Sequence, residues 1–140
     1  MNNSKHGQNY HYIPRKNIVY LLAACAHTDI NYGQHLAHDK LISMLHEARA
    51  QFFLHFNMEE SNVGGLGIIL SDLAICYQAE SFHPDTLNIE MALDDASRCG
   101  CDMVYRISKD ADNTLVATAK TGLVFFDYNN KKSFINSERI

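Results

Sequence analysis

The sequence predicts an α+β fold in which an antiparallel five-stranded sheet wraps around one long central helix. Three observations carry that prediction: a single extended helical period between residues 39 and 56, five β-patterned runs around it, and turns too short for parallel crossovers between the last four runs. The chain has 140 residues, 46% of them hydrophobic and 20% charged, which suits one globular domain over residues 1–140. At that length roughly 68–70% of the unfolded surface is buried on folding, enough for an apolar core without disulfide or metal staples.

The first strand is expected over Asn17 to Ala26, β-branched and aromatic at its start and bounded by Pro14 and by the polar His27-Thr28-Asp29. From Asp39 to Phe56, Leu41, Met44, Leu45, Ala48, Phe52 and Phe56 recur at helical spacing, while Lys40, Ser43, Glu47, Gln51 and His55 point in other directions. Asp39 suits the first turn, where a carboxylate meets the positive end of the backbone dipoles. Residues 57–67 are polar and then glycine-rich, a connection whose glycine spacing fits neither common phosphate loop.

Ile68 to Tyr77 is apolar at nearly every position except Ser71 and Asp72, which predicts a central strand covered on both faces. Asp72 then needs a partner, a hydrogen bond or an edge position. After the His83-Pro84-Asp85 turn, Leu87, Ile89, Met91 and Leu93 alternate with Asn88, Glu90 and Asp94, and Met103, Tyr105 and Ile107 repeat the alternation. A last strand runs from Thr114 to Asp127, with Leu115, Ala117, Ala119, Leu123 and Phe125 on one side and Thr118, Lys120 and Gly122 on the other. The helix is the apolar object left to cover the sheet's inner face, so the sheet should curl around it.

Twelve basic against 16 acidic side chains give a net charge of −4, with the basic residues scattered except at Lys131-Lys132. Nucleic-acid and anionic-membrane binding both require clustered positive charge, so neither partner is expected. No run approaches the roughly 20 apolar residues of a membrane span. Met1 to Tyr12 lacks the charged-then-apolar order of a signal peptide, which predicts a flexible segment over 1–15 and a cytoplasmic setting. Cys25, Cys76, Cys99 and Cys101 follow no disulfide or zinc spacing and read as small apolar residues plus a turn cysteine. His35 and His38 stand at i, i+3 without acidic or thiol partners, so no metal is expected.

Titratable and turn-forming residues are densest from Asp29 to Asp39, between the first strand and the helix. Such a loop delivers backbone N–H groups at a helix N-terminus, where they can hold a developing oxyanion. Gly33 permits close approach of a ligand, and Asp29, Asn31, His35 and Asp39 supply acids, an amide and a base.

Here the chain resembles the hotdog-fold thioesterases of the 4-hydroxybenzoyl-CoA thioesterase type. In those proteins Asp-x-Asp-x-x-Gly-His-Val-x-Asn follows the first strand and leads into a long helix bearing Glu-x-Ala-Arg. The corresponding residues are Asp29-Ile-Asn31-Tyr-Gly33-Gln-His35-Leu, then Leu41 and His46-Glu47-Ala48-Arg49. Weaker matches at Tyr77, Pro84-Asp85-Thr86-Leu87, Tyr105-Arg106-Ile107, Val116-Ala117-Thr118-Ala119 and Phe126-Asp127 extend the similarity over residues 16–132.

The resemblance implies a hotdog fold, an acyl-CoA substrate with no further cofactor, and a homodimer or homotetramer holding the acyl group between subunits. It implies catalytic roles for Asp29, Asn31, His35 and Glu47, and substrate contacts from Tyr32, Gly33, Gln34 and Leu36. Two positions depart: the glycine before the histidine falls on Gln34, and the aspartate that serves as nucleophile or general base falls on Asn31, where an amide cannot take a proton. Asp29 is the first substitute and Glu47 the second, since other hotdog thioesterases use a helix carboxylate. Lys120 and Thr121 on the last strand are placed to meet a CoA phosphate, although a solvated strand face accounts for them equally well.

Each residue also has a structural reading: Asp29 ends a strand, Asn31 holds a turn, His35 packs against backbone, and Glu47 pairs with Arg49 or Lys40 in solvent. Two other functions fit the same architecture. A domain that binds acyl-CoA without catalysis would explain Asn31, and a hydratase would match Asp-x-Asn-Pro-x-His, except that the proline is absent and the histidine comes one residue late.

Overall fold

The computed structural model describes residues 19–26, 36–63, 65–97, 99–127 and 132–133. Strand β1 (Val19–Ala24) precedes helix α1 (His38–His55), and the helix is followed by β2 (Gly67–Tyr77), β3 (Thr86–Ser97), β4 (Gly100–Lys109), β5 (Leu115–Asp127) and the two-residue β6 (Lys132–Ser133). The strands form one antiparallel sheet in the order β1-β3-β4-β5-β2, with β6 paired to β5. The expected five strands and single long helix are all present, and β6 adds a short sixth strand.

The helical period found in the sequence is what fills the sheet. Leu41, Leu45, Ala48, Phe52 and Phe53 of α1 are buried against Leu87, Ile89, Met91, Met103, Tyr105, Ile107, Ala117, Ala119 and Leu123 of the inner sheet face. Phe52 and Phe53 meet edge to face at 5.5 Å, an arrangement favoured by the aromatic quadrupole. Cys25, Cys99 and Cys101 are buried thiols, while Cys76 is exposed. Gly100, between two of them, is required by a close approach: a Cβ there would lie 1.9 Å from the Leu123 carbonyl oxygen.

Two sequence readings are corrected. The run Ile68–Tyr77 is not a central strand; among the described residues it pairs only with β5, and Leu70 and Tyr77 are 49% and 51% exposed. Its apolar run continues through exposed positions, among them Ile69 and Leu70. Arg49 is not a solvent partner for Glu47: it is 7% exposed and its Nε donates to Glu60.

Asp72 has the partners its position demands. It sits at a β-bulge, where its Oδ1 accepts from Lys120 Nζ at 2.9 Å and from the Gly122 N–H at 3.0 Å. A Cβ at 122 would come within 2.6 Å of that same oxygen, so a side chain there would displace the Asp72 carboxylate.

Candidate active site

Helix α1 opens into a cavity. Its cap residue, Ala37, is extended (φ −69, ψ 142) and has no side chain with which to cap. The Ala37 carbonyl accepts from the N–H groups of Lys40 and Leu41, both at 3.1 Å, so the first turn closes on backbone alone. A helix ending this way presents N–H groups and the positive end of its dipole to whatever lies before it. What lies there is a cavity of about 490 Å³, walled by Leu36, Leu41, Ala79 and Val116 and edged by His38, Tyr77, Gln78, Glu80 and Ser81. That volume falls within the roughly 300–1,000 Å³ typical of small-molecule sites.

Gln78 to Ser81 of the lining belong to the segment 78–85, which joins β2 to β3 and is fixed by backbone bonds. Gln78 and Ala79 donate to the Val116 carbonyl at 2.8 and 3.2 Å, and Leu36 donates to the Ser81 carbonyl at 2.7 Å. Phe82 N–H donates to Asp85 Oδ2 at 2.9 Å, Asp85 N–H returns to the Phe82 carbonyl at 2.7 Å, and Cys25 N–H reaches the Asp85 carbonyl at 2.8 Å. His83 Nδ1 lies 3.0 Å from the Cys25 carbonyl oxygen. This loop therefore ties down both the chain leaving β1 and the chain entering α1.

Of the residues singled out in the sequence, Asp29, Asn31, Tyr32, Gly33, Gln34 and His35 lie outside the described residues. Leu36 lines the cavity. Asp39 is exposed in the first turn, and its charge, after the larger effect of burial, helps hold the Tyr77 hydroxyl above the usual phenol range. Glu47 is exposed, and its Oε2 accepts from Gln51 Nε2 at 2.9 Å. It stands nine residues beyond His38, about 13–14 Å along the helix axis, and does not line the cavity of its own chain. Lys120 is also away from the cavity, its ammonium 2.9 Å from Asp72 and 3.8 Å from Asp102.

His38, Tyr77, Glu80 and Ser81 border the cavity without having been assigned to a site from the sequence. The signal available was the His83-Pro84 turn, which marks a loop but not where the loop docks. Among the described residues, no three His, Cys, Asp or Glu side chains group closely enough to hold a metal ion, and no helix is long and apolar enough to cross a membrane.

The fold is shared with solved thioesterases. A 1,4-dihydroxy-2-naphthoyl-CoA thioesterase from Synechocystis superposes with a TM-score of 0.75 at 20% identity, over 83% of this chain and 87% of that one. The DHNA-CoA thioesterase of Staphylococcus aureus gives 0.74 at 16% identity, over 87% and 82%. A further S. aureus protein, solved in complex with CoA, gives 0.74 at 13% identity, over 87% and 78%. No curated protein matches the sequence. The family model of the thioesterase-like superfamily matches residues 25–137, starting just after β1 and spanning the helix, the cavity residues and strands β2 to β6, and the chain belongs to that superfamily.

Proposed function

We propose that this chain is an acyl-CoA thioesterase that hydrolyses the thioester to a free acid and CoA. The observation that carries the reading is the uncapped N-terminus of α1, which faces a cavity with apolar walls in a member of the thioesterase-like superfamily. The acyl chain lies against Leu36, Leu41 and Val116. The thioester carbonyl points at the helix end, whose N–H groups hold the oxygen as it becomes an anion. A carboxylate takes a proton from water as the new C–O bond forms; the C–S bond then breaks and that proton leaves with the CoA thiol. His35, Asn31, Tyr32, Gly33 and Gln34 orient water and carbonyl.

Two carboxylates compete for the role of base. Asp29 is the first choice: it belongs to the segment between Cys25 and Leu36, and both of those residues are bonded to the loop that joins β2 to β3. Glu47 lies too far along the helix to serve its own cavity and would act in that of a neighbouring subunit. Lys120 meets a CoA phosphate only if it leaves Asp72. In a coupled thiol-release assay on a panel of acyl-CoAs, turnover is expected from the wild-type chain. A chain that binds acyl-CoA tightly and releases no thiol would instead be a binding domain, the reading that Asn31 favours.

The site is completed by a second copy, in a cytoplasmic homodimer or homotetramer. Ile69 and Leu70 are exposed on a strand that has no partner strand on its outer edge among the described residues, where only the Ile68 N–H is bonded, to the Glu60 carbonyl, an arrangement that invites strand addition. Sedimentation velocity is expected to give a dimer or tetramer for the wild type and a smaller species for Ile69→Lys/Leu70→Glu. A strictly monomeric wild type would count against the reading.

A further inference from the structure

We infer that Ser81 is a catalytic residue whose hydroxyl donates a hydrogen bond to the thioester carbonyl oxygen, from the segment that joins β2 to β3. The inference rests on the thioesterase reading and assigns a second, independent donor to the same oxygen.

Ser81 is 2% exposed, and its Oγ is the single buried side-chain polar atom without a hydrogen-bond partner among the described residues. Loop serines ordinarily bond to a nearby backbone group and so shape the turn. This one does not. The loop is held by other atoms: the Ser81 carbonyl by Leu36, Phe82 by Asp85, and Gln78 and Ala79 by Val116. Alanine would fit the same backbone site and avoid leaving a buried hydroxyl unpaired. The hydroxyl makes no bond within the chain and is available to a bound group.

Position selects which group. The bond between Leu36 and Ser81 sets the serine across from the chain just ahead of the first turn of α1, beside the end of the cavity where N–H groups converge. The alkyl-lined part of the cavity, at Leu41 and Val116, offers hydrocarbon contacts only. A carbonyl directed at the helix end passes the serine, and a change of χ1 between staggered wells turns the hydroxyl toward it. As the carbonyl carbon becomes tetrahedral, its oxygen gains charge and the bond from Ser81 strengthens, so the effect appears in the transition state more than in binding.

The test uses Ser81→Ala and Ser81→Cys in the full chain. For Ser81→Ala the unliganded Tm is expected to hold or rise by about 2–6 °C. Its kcat should fall on the order of 10²-fold, with KM little changed and the same loss for hydrocarbon and oxygen-bearing acyl groups. Ser81→Cys, which keeps a weak donor, should fall between the two. An unchanged kcat overturns the inference, as does a lowered Tm with kcat and KM both impaired, which would mark a structural role. A loss confined to oxygen-bearing acyl chains also overturns it, by assigning the hydroxyl to a substituent.

If the wild type releases no thiol, the hydrolytic reading fails and Ser81 is judged by binding alone. The probe is an acyl-CoA analogue with CH₂ in place of the sulfur, which keeps the carbonyl. About tenfold weaker binding to Ser81→Ala would sustain the contact, and equal binding would remove it.

Discussion

Arg49→Leu is expected to destabilise the fold by about 2–3 kcal/mol, less than for a fully buried ion pair because the Glu60 side chain keeps 27% of its surface in water. The guanidinium is enclosed between α1 and the sheet: its Nε donates to Glu60, its Nη2 donates to His46 Nδ1 at 2.7 Å, and Tyr105 is a further hydrogen-bonding neighbour. Tyr105, fully buried, shares a 2.9 Å bond with the hydroxyl of Thr121. Burial alone would push the Arg49 pKa down, but Glu60 and Tyr105 outweigh it and hold the group above its ordinary value, so it stays charged. Burial likewise raises the Tyr105 pKa, against the opposing bonds to Thr121 and Arg49, which keeps the phenol protonated. Removing the cation leaves a carboxylate and a phenol facing an apolar gap. Urea unfolding of Arg49→Leu, Glu60→Leu and the double variant checks this. The double variant should be more stable than Arg49→Leu, because no uncompensated charge remains; a loss below about 1 kcal/mol for Arg49→Leu alone would contradict the account.

How far the sequence revealed this architecture varied with the physics of each element. The helix was legible because Leu41, Leu45, Ala48 and Phe52 obey a period that only one backbone shape satisfies. Arg49 occupies the same stripe, four residues after Leu45, but a lone cation at a stripe position does not name its partner, and Glu60 lies beyond the helix. Strand β2 was legible as a strand and misread in rank: a continuous apolar run is the same whether neighbouring strands or a second subunit cover it. The segment proposed to carry the base stands out in the sequence by its composition from Asp29 to Asp39, although Asp29 to His35 lie outside the described residues. Residues 78–85 do not stand out, because their docking beside the helix follows from β2 lying at the far edge from β1, a consequence of strand order that local spacing does not encode.

The base assignment carries the largest expected effect on activity. Loss of a general base typically lowers the rate 10²–10⁴-fold, so Asp29→Ala is expected to reduce kcat within that range if Asp29 takes the proton from water. The resemblance puts Asn31 at the position of the family's aspartate, and a carboxylate introduced there is expected to take over the role of base. The double variant Asp29→Ala/Asn31→Asp is therefore expected to regain at least about tenfold of the lost kcat, which a merely structural Asp29 would not permit. The base works ionised, so wild-type kcat/KM should fall as pH drops through the pKa of its carboxyl, and that acid limb should vanish in Asp29→Ala and return in the double variant. If Glu47 is the base instead, Asp29→Ala keeps most of its activity and its acid limb, and Glu47→Ala loses both. Mixed oligomers then tell which subunit Glu47 serves. A subunit lacking Glu47 but with an intact loop, paired with one that has Glu47 but a disabled loop, forms one complete site if Glu47 acts across the interface. Such mixtures regain activity, whereas a Glu47 that serves only its own chain leaves them inactive; if Asp29 is the base, the subunit lacking Glu47 is active without any mixing.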